Sequence, residues 1–199
     1  MYVPPAFQAD RAASLALAAA RSFGLVTACV GGHPVASPLP FRLGYAPDGT
    51  PRVSFHVARG NPLTTAALHG GIWLVAVIEA DTYVSPDWYA SSDQVPTWLY
   101  RAVHLSGPVR TMPRPELAAH LDQLSETFEQ RLAPKRPWTA DKMTPGRRAR
   151  MMEAIVGIEM EVQTVDGSFK LNQHKSDADQ VALANALATQ PQPAARAIA

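Results

Sequence analysis

The run LVTACVGGHPVASPLPFRLGYAPDGTPRVSFHV, residues 25–57, contains three β-prone segments. Two turn signals, Gly31-Gly32 and Asp48-Gly49, separate these segments, and turns of this kind join neighbouring antiparallel strands. Pro38 and Pro40 interrupt the middle segment, because proline cannot donate to a strand ladder. The run therefore predicts successive hairpins in an antiparallel sheet.

Helix signals and further strands flank this run on both sides. Asp10 is a good cap for an Ala- and Leu-rich helix that ends near Ser22. Asn61 is a cap and Pro62 a first residue for a short helix to about His69. Further strands are predicted over residues 72–78, 102–112 and 157–165, and further helices over 115–132, 145–155 and 176–189. The pattern indicates a mainly β fold with added helices, a small antiparallel barrel with helices outside.

Length and composition set limits on the class of protein. With 199 residues the chain is of a size for one domain. We predict a single domain over residues 1–189 and a disordered Pro-, Gln- and Ala-rich tail over 190–199.

The net charge of +1 provides no overall field for nucleic acid or an anionic membrane. No membrane span or secretory signal is predicted, so we expect a cytoplasmic protein. The single cysteine, Cys29, is expected to be a small buried side chain in its strand.

A second informative stretch is both aromatic and stiff. Residues 81–89 read DTYVSPDWY and residues 95–100 read VPTWLY. Pro86 and Pro96 restrict the backbone, and Trp and Tyr offer flat faces with one polar group each. The stretch predicts either a wall that holds a planar ring or an aromatic mini-core beneath a long loop. The residues alone do not choose between these interpretations.

One local anion site is predicted where a strand leads into the short helix. Arg59 directly precedes the Asn61-Pro62 helix start, where backbone amides and a cation favour a phosphate. The alternative is that Arg59 is a solvated or ion-paired surface residue.

The six histidines show no metal-ligand spacing, and no Walker loop or nucleophile elbow is present. The basic run Arg147–Arg150 is more typical of a solvated helix face than of a nucleic-acid contact.

Taken in order, the motifs of this chain resemble those of the PaiB-like, FMN-binding negative transcriptional regulators. The matching stretches run from residue 1 to about residue 189 and keep the family's order. They are Met1-Tyr2-Val3-Pro4 with Phe7, Ala36-Ser37-Pro38-Leu39-Pro40, His56-Val57-Ala58-Arg59-Gly60-Asn61-Pro62, Tyr83-Val84-Ser85-Pro86-Asp87-Trp88-Tyr89, Val95-Pro96-Thr97-Trp98-Leu99-Tyr100 with Val103-His104, Ala154-Ile155-Val156-Gly157-Ile158-Glu159 and Lys170-Leu171-Asn172-Gln173.

The resemblance implies a six-stranded antiparallel split β-barrel that forms a homodimer and binds FMN at the subunit interface. It implies repression of transcription as the function, with a flavin-dependent oxidoreductase or a ligand sensor without chemistry as alternatives. No catalytic residue and no metal ligand is implied, and direct contact with DNA is the weaker expectation. The cofactor-binding residues that it implies, some of them contributed by the partner subunit, are Ser37, Pro38, Leu39, Pro40, His56, Val57, Ala58, Arg59, Asn61, Pro62, Trp88, Thr97, Trp98, Lys170 and Gln173.

The chain departs from the family pattern at Leu99. The family's Thr-Trp-Asn-Tyr is here Thr97-Trp98-Leu99-Tyr100, so an apolar group replaces an amide. If the family's Asn contacts the ligand, Leu99 is expected to change either the affinity for the flavin or the identity of the ligand.

Overall fold

The computed structural model describes residues 1–198, which form two compact units built from discontinuous segments. The first unit comprises Met1–Leu17, Val77–His104 and the chain from Val165 onward. The second unit comprises Ala18–Ala76 and Leu105–Thr164. The single domain over residues 1–189 stays a prediction.

Nine strands and six α-helices are present in the described part of the chain. The strands are β1 (Gln8–Ala9), β2 (Phe23–Val30), β3 (His33–Pro40), β4 (Arg42–Tyr45), β5 (Pro51–Ala58), β6 (Ile72–Val84), β7 (Thr97–Thr111), β8 (Ile155–Glu161) and β9 (Thr164–Lys170). The helices are α1 (Arg11–Arg21), α2 (Pro62–His69), α3 (Arg114–Gln130), α4 (Arg147–Met152), α5 (Asp177–Ala188) and α6 (Pro193–Ile198).

The hydrogen-bonded strand order is β3-β2-β6-β7-β8-β5-β4, and β9 pairs with both β1 and β7. The pairs β2–β3 and β4–β5 are antiparallel, as the turn signals predict, and β5 also pairs with β8 in antiparallel orientation. A mainly β fold with added helices is confirmed. The residues described hold nine strands rather than the implied six, in part because the middle β-prone segment of residues 25–57 is divided at Phe41 into β3 and β4. Phe41 is fully buried, and its backbone N–H donates to the carbonyl oxygen of Ser22 at 3.0 Å.

Strand β5 of the second unit has one buried face and one half-buried face, and the candidate site lies at its C-terminal end. Val53, Phe55 and Val57 are buried, while the intervening residues are half-buried on the opposite face. His56 and Ser54 lie on that opposite face, where both contact α3 through His120. The alternation predicted for this strand is therefore confirmed.

Cys29 is exposed, so the expectation of a buried cysteine is wrong. Side chains alternate between the two faces of a strand. In β2 the buried set is Gly24, Val26 and Ala28, which places Cys29 on the outer face. A β-prone run fixes the alternation but does not reveal which set faces the core.

The first unit has its own hydrophobic core. Val84, Tyr89 and Leu99 pack with Leu183 and Leu187 of α5. The predicted disordered tail begins at residue 190, and within it the structure has α6, whose Ala195 is buried in the same core. No helix of residues 1–198 is long and apolar enough to cross a membrane.

Candidate functional site

The turn between β5 and α2 holds Arg59 in a defined position. The Arg59 backbone N–H donates to the carbonyl oxygen of Ala154 at 2.8 Å, and its Nε donates to that of Glu153 at 2.9 Å. Within residues 1–198, neither Nη of Arg59 donates to the protein. The guanidinium is thus exposed and oriented, with two donors available to an anion.

Asn61 links this turn to strand β3. Its Oδ1 accepts from the N–H of Leu63 at 2.9 Å, which is the predicted cap of α2, and Pro62 is the first helical residue. Its Nδ2 donates to Oγ of Ser37, also at 2.9 Å. Because the Ser37 hydroxyl serves as an acceptor there, its own proton remains available. The structure therefore brings Ser37, Asn61 and the Arg59 turn together, as the resemblance implies.

A cavity of about 340 Å³ adjoins this turn, and its charges are mainly positive. Arg59 and Arg114 line it together with one carboxylate, Glu153. Two guanidinium groups against one carboxylate create a local field that the near-neutral composition does not reveal. This part of the second unit can bind an anionic group.

The other cofactor-binding residues predicted in the second unit differ in how far their side chains are exposed to solvent. Pro38, Ala58 and Pro62 are exposed, whereas Leu39 and Pro40 are half-buried on β3. Val57 is 2% exposed and packs in the core, so only its backbone can meet a ligand. The side chain of His56 points to α3, away from this core.

In the first unit, Lys170 and Thr97 are in direct contact. Nζ of Lys170 donates to Oγ1 of Thr97 at 2.6 Å and lies 5.7 Å from the ring centroid of Phe7. Trp98, adjacent to Thr97, is 52% exposed and contacts the edge of Tyr83, with ring centroids 6.2 Å apart. The exposed pair of Trp98 and Tyr83 offers flat surfaces that suit a planar ligand.

Gln173 and Trp88 have structural partners instead. Nε2 of Gln173 donates to the carbonyl oxygens of Ala6 and Phe169, and its Oε1 accepts from the N–H of Leu171. All the hydrogen-bonding groups of this amide are therefore engaged within the protein. Trp88 packs against the core of the first unit.

The aromatic stretch thus matches both interpretations left open by the sequence. Tyr89 is buried, and its hydroxyl accepts from Nδ2 of Asn172 at 2.6 Å. Tyr83 and Trp98 are exposed. Leu99 is 1% exposed, and its side chain packs against other apolar groups in the core of the first unit.

The sequence did not predict a structural role for His120, which is buried in the second unit. His120 is 3% exposed; its Nε2 lies 3.3 Å from Nδ1 of His56 and its Nδ1 lies 3.2 Å from Oγ of Ser54. Burial, then the neighbouring His56 and Arg42, lower the pKa of His120 to about 4. Burial also lowers the pKa of His56. A signal was present, since His120 lies three residues after Leu117, on the apolar stripe of α3.

Comparison with known proteins identifies the family. The model of the family described as "Putative FMN-binding domain" matches residues 1–164 of this chain. This protein belongs to that FMN-binding family. It is also 30% identical over 201 residues to the "Protease synthase and sporulation protein PAI 2" of Bacillus subtilis (strain 168), covering 100% of this chain and 95% of that protein. The recognition of a PaiB-like FMN-binding protein and the assignment of FMN as the cofactor are confirmed.

Solved structures support the fold. The FAD and heme binding protein from Mycobacterium smegmatis aligns with a TM-score of 0.61 at 21% identity, over 88% of this chain and 78% of that one. The flavocytochrome Anf3 from Azotobacter vinelandii aligns with a TM-score of 0.54 at 20% identity, over 80% of this chain and 67% of that one. These similarities confirm the split-barrel class for this member of the FMN-binding family.

Proposed function

We propose that this member of the FMN-binding family is a homodimeric regulator that lowers gene expression in the bacterial cytoplasm, with bound FMN as its sensing group. Support comes from the full-length similarity to the PAI 2 protein, whose name refers to protease synthase and sporulation. FMN supplies redox chemistry when it is bound. The residues of this chain supply the binding site and the self-association surface.

The proposal of a homodimer is supported by an exposed apolar face formed by β2, β3 and the part of β6 that lies in the second unit. We call it the apolar sheet face; its exposed members are Phe23, Leu25, Cys29, Pro34, Ala36, Pro38 and Ile72. Leu25 lies opposite Pro38 on one neighbouring strand and Ala76 on the other. Contiguous exposed apolar surface of this kind marks an interaction site. Strand β3 also carries Ser37, so the face and the anion site share one strand.

The proposed dimer predicts a strong effect of Leu25→Asp. A carboxylate buried in an apolar interface has no partner there, and the two-fold axis introduces it twice. We expect the wild-type protein to sediment as a dimer and Leu25→Asp to weaken the dimer by about a hundredfold or more. Analytical ultracentrifugation over a concentration series measures this. Leu132→Asp, which alters an exposed leucine outside the face, is the control. A monomeric wild-type protein would exclude the dimer.

We propose that the FMN phosphate binds at Arg59, Ser37 and Asn61, and that the His56–Pro62 backbone and the Ser37–Pro40 strand line the site. The free Nη donors of Arg59, the Ser37 hydroxyl proton and the start of α2 fit a phosphate in charge and hydrogen bonding. Thr97, Trp98 and Lys170 stay predicted cofactor contacts.

Arg59→Ala is expected to weaken FMN binding by about 1.5–3 kcal/mol, the usual contribution of a charge-assisted hydrogen bond. Flavin fluorescence titration gives the dissociation constant. Arg147→Ala removes an exposed arginine of α4 and serves as the matched control, which we expect to bind FMN as the wild type does. Unchanged affinity in Arg59→Ala would show that the phosphate binds elsewhere.

The regulatory function is tested in the host. Transcripts are compared among the wild type, a deletion strain and strains that carry Arg59→Ala or Leu25→Asp. We expect the same set of transcripts to rise in all three mutant strains. Mobility-shift assays with the affected promoters, with and without FMN, then distinguish direct from indirect repression. Unchanged transcripts together with anaerobic bleaching of bound flavin by NADH would instead favour the oxidoreductase.

A further inference from the structure

A second cavity of about 340 Å³ in the second unit shares His56 with the proposed flavin site, and shares Met152 and Ile155 with the cavity beside Arg59. Residues of β5, α3 and α4 line it, and most of its wall is apolar: Trp138, Met143, Met151 and Ile155. Trp138 and Met151 are 40% and 56% exposed. A volume of this size lies in the range of small-molecule sites, and such sites are mainly apolar with a few polar groups. Methionine thioethers also adapt readily to the shape of an aromatic ring.

A hydrogen-bonded chain of three residues determines which nitrogen of His56 is left as an acceptor toward the cavity. We assign the tautomers from Ser54, whose hydroxyl donates to the carbonyl oxygen of Arg42 at 3.4 Å and whose oxygen then accepts from Nδ1–H of His120. Nε2 of His120 then accepts from Nδ1–H of His56. The neutral imidazole of His56 is left with a lone pair on Nε2. Among residues 1–198, no group donates to that nitrogen, and His56 lines the cavity.

The groups that face His56 leave the cavity without net charge. His120 is held neutral by its burial, and burial likewise disfavours the charged form of His56 itself. The one cation and the one carboxylate of the wall, Arg148 and Asp122, pair with each other at 2.8 Å. Neither an anion nor a cation gains from entering such a site, and the phosphate of FMN has no free cation there.

We propose that this cavity binds an uncharged aromatic molecule of one or two rings, whose O–H or N–H group donates to Nε2 of His56. Phenols and indoles have this chemistry. The proposed contact is the side chain of His56, whereas the flavin site is proposed to use the His56 backbone, and this inference does not depend on the proposed regulatory function.

The test compares indole with 1-methylindole, which has nearly the same shape but no N–H donor. Isothermal titration calorimetry is performed on the full chain, with and without saturating FMN. We expect indole to bind about tenfold more tightly than 1-methylindole, because only indole satisfies Nε2. In His56→Leu the ratio falls to about one. In Trp138→Ala, which removes an exposed ring, both compounds bind several-fold more weakly.

Three results would overturn the proposal. They are the absence of indole binding, equal affinity of the two compounds for the wild type, and displacement of indole by FMN. If His56→Leu does not fold, Trp138→Ala keeps the test decisive, since unchanged affinity in that variant would exclude this cavity as the indole site.

Discussion

Leu99→Ala is expected to lower the free energy of unfolding by about 2–5 kcal/mol, the usual range for removing a buried leucine side chain. Leu99 is 1% exposed and packs with Val84, Tyr89, Leu183 and Leu187. Truncation leaves a void that a core shared between β6, β7 and α5 cannot easily close. Urea denaturation followed by circular dichroism measures the change.

Two further variants isolate the cause. Leu68 is 73% exposed, so Leu68→Ala should change stability little. Leu99→Asn restores the family's residue, and it places an amide in an apolar core. We expect Leu99→Asn to be destabilised and to bind FMN no more tightly than the wild type. A fully stable Leu99→Asn with increased FMN affinity would show that position 99 faces the ligand.

Acidification from pH 7 to pH 4 is expected to remove about 3 kcal/mol of stability through His120 alone. The pKa of His120 is about 4 in the folded protein, against an ordinary value of 6.5. Between these values the unfolded chain binds the proton and the folded protein does not. Stability is therefore fully present above pH 6.5, falls as the pH decreases through this interval, and levels off near pH 4. Urea denaturation at a series of pH values measures it.

His120→Phe is the comparison that assigns this effect. His56 and His104, whose pKa values burial also lowers, contribute in the same direction and remain in the variant. Asp48, Glu129, Asp141 and Asp179 have lowered pKa values, so their contributions begin to be lost near pH 5 and below, and they are present in both proteins. From pH 7 to pH 4 the wild type should lose about 3 kcal/mol more stability than His120→Phe does. Parallel pH profiles of the two proteins would contradict the assignment.

Features with local causes were predictable from the sequence. The Asn61 cap and the Gly31-Gly32 and Asp48-Gly49 turns each depend on residues within a few positions of one another. Asn61 caps α2 through Leu63, only two residues away. The hairpins fix the antiparallel order of β2 with β3 and of β4 with β5. The fold class therefore followed from turn and cap chemistry, and the ordered motifs added the cofactor.

Features that depend on distant contacts were not predictable in this way. His120 and His56 are 64 residues apart in the chain, and only the packing of α3 on β5 makes them partners. The face of β2 that Cys29 occupies depends on which side the core covers. The burial of Leu99 depends on α5, which is distant in sequence and whose Leu183 and Leu187 pack against it. Ala195 gains its burial from the core of the first unit, which composition alone does not indicate.

Titration of the purified protein with FMN, followed by flavin fluorescence and the visible absorption spectrum, tests the central claim most directly. The account predicts saturable quenching at about one FMN per chain, with Arg59→Ala shifted to higher concentration and Arg147→Ala unchanged. Absence of saturable binding by a folded protein would contradict the assignment of this chain as an FMN-binding protein.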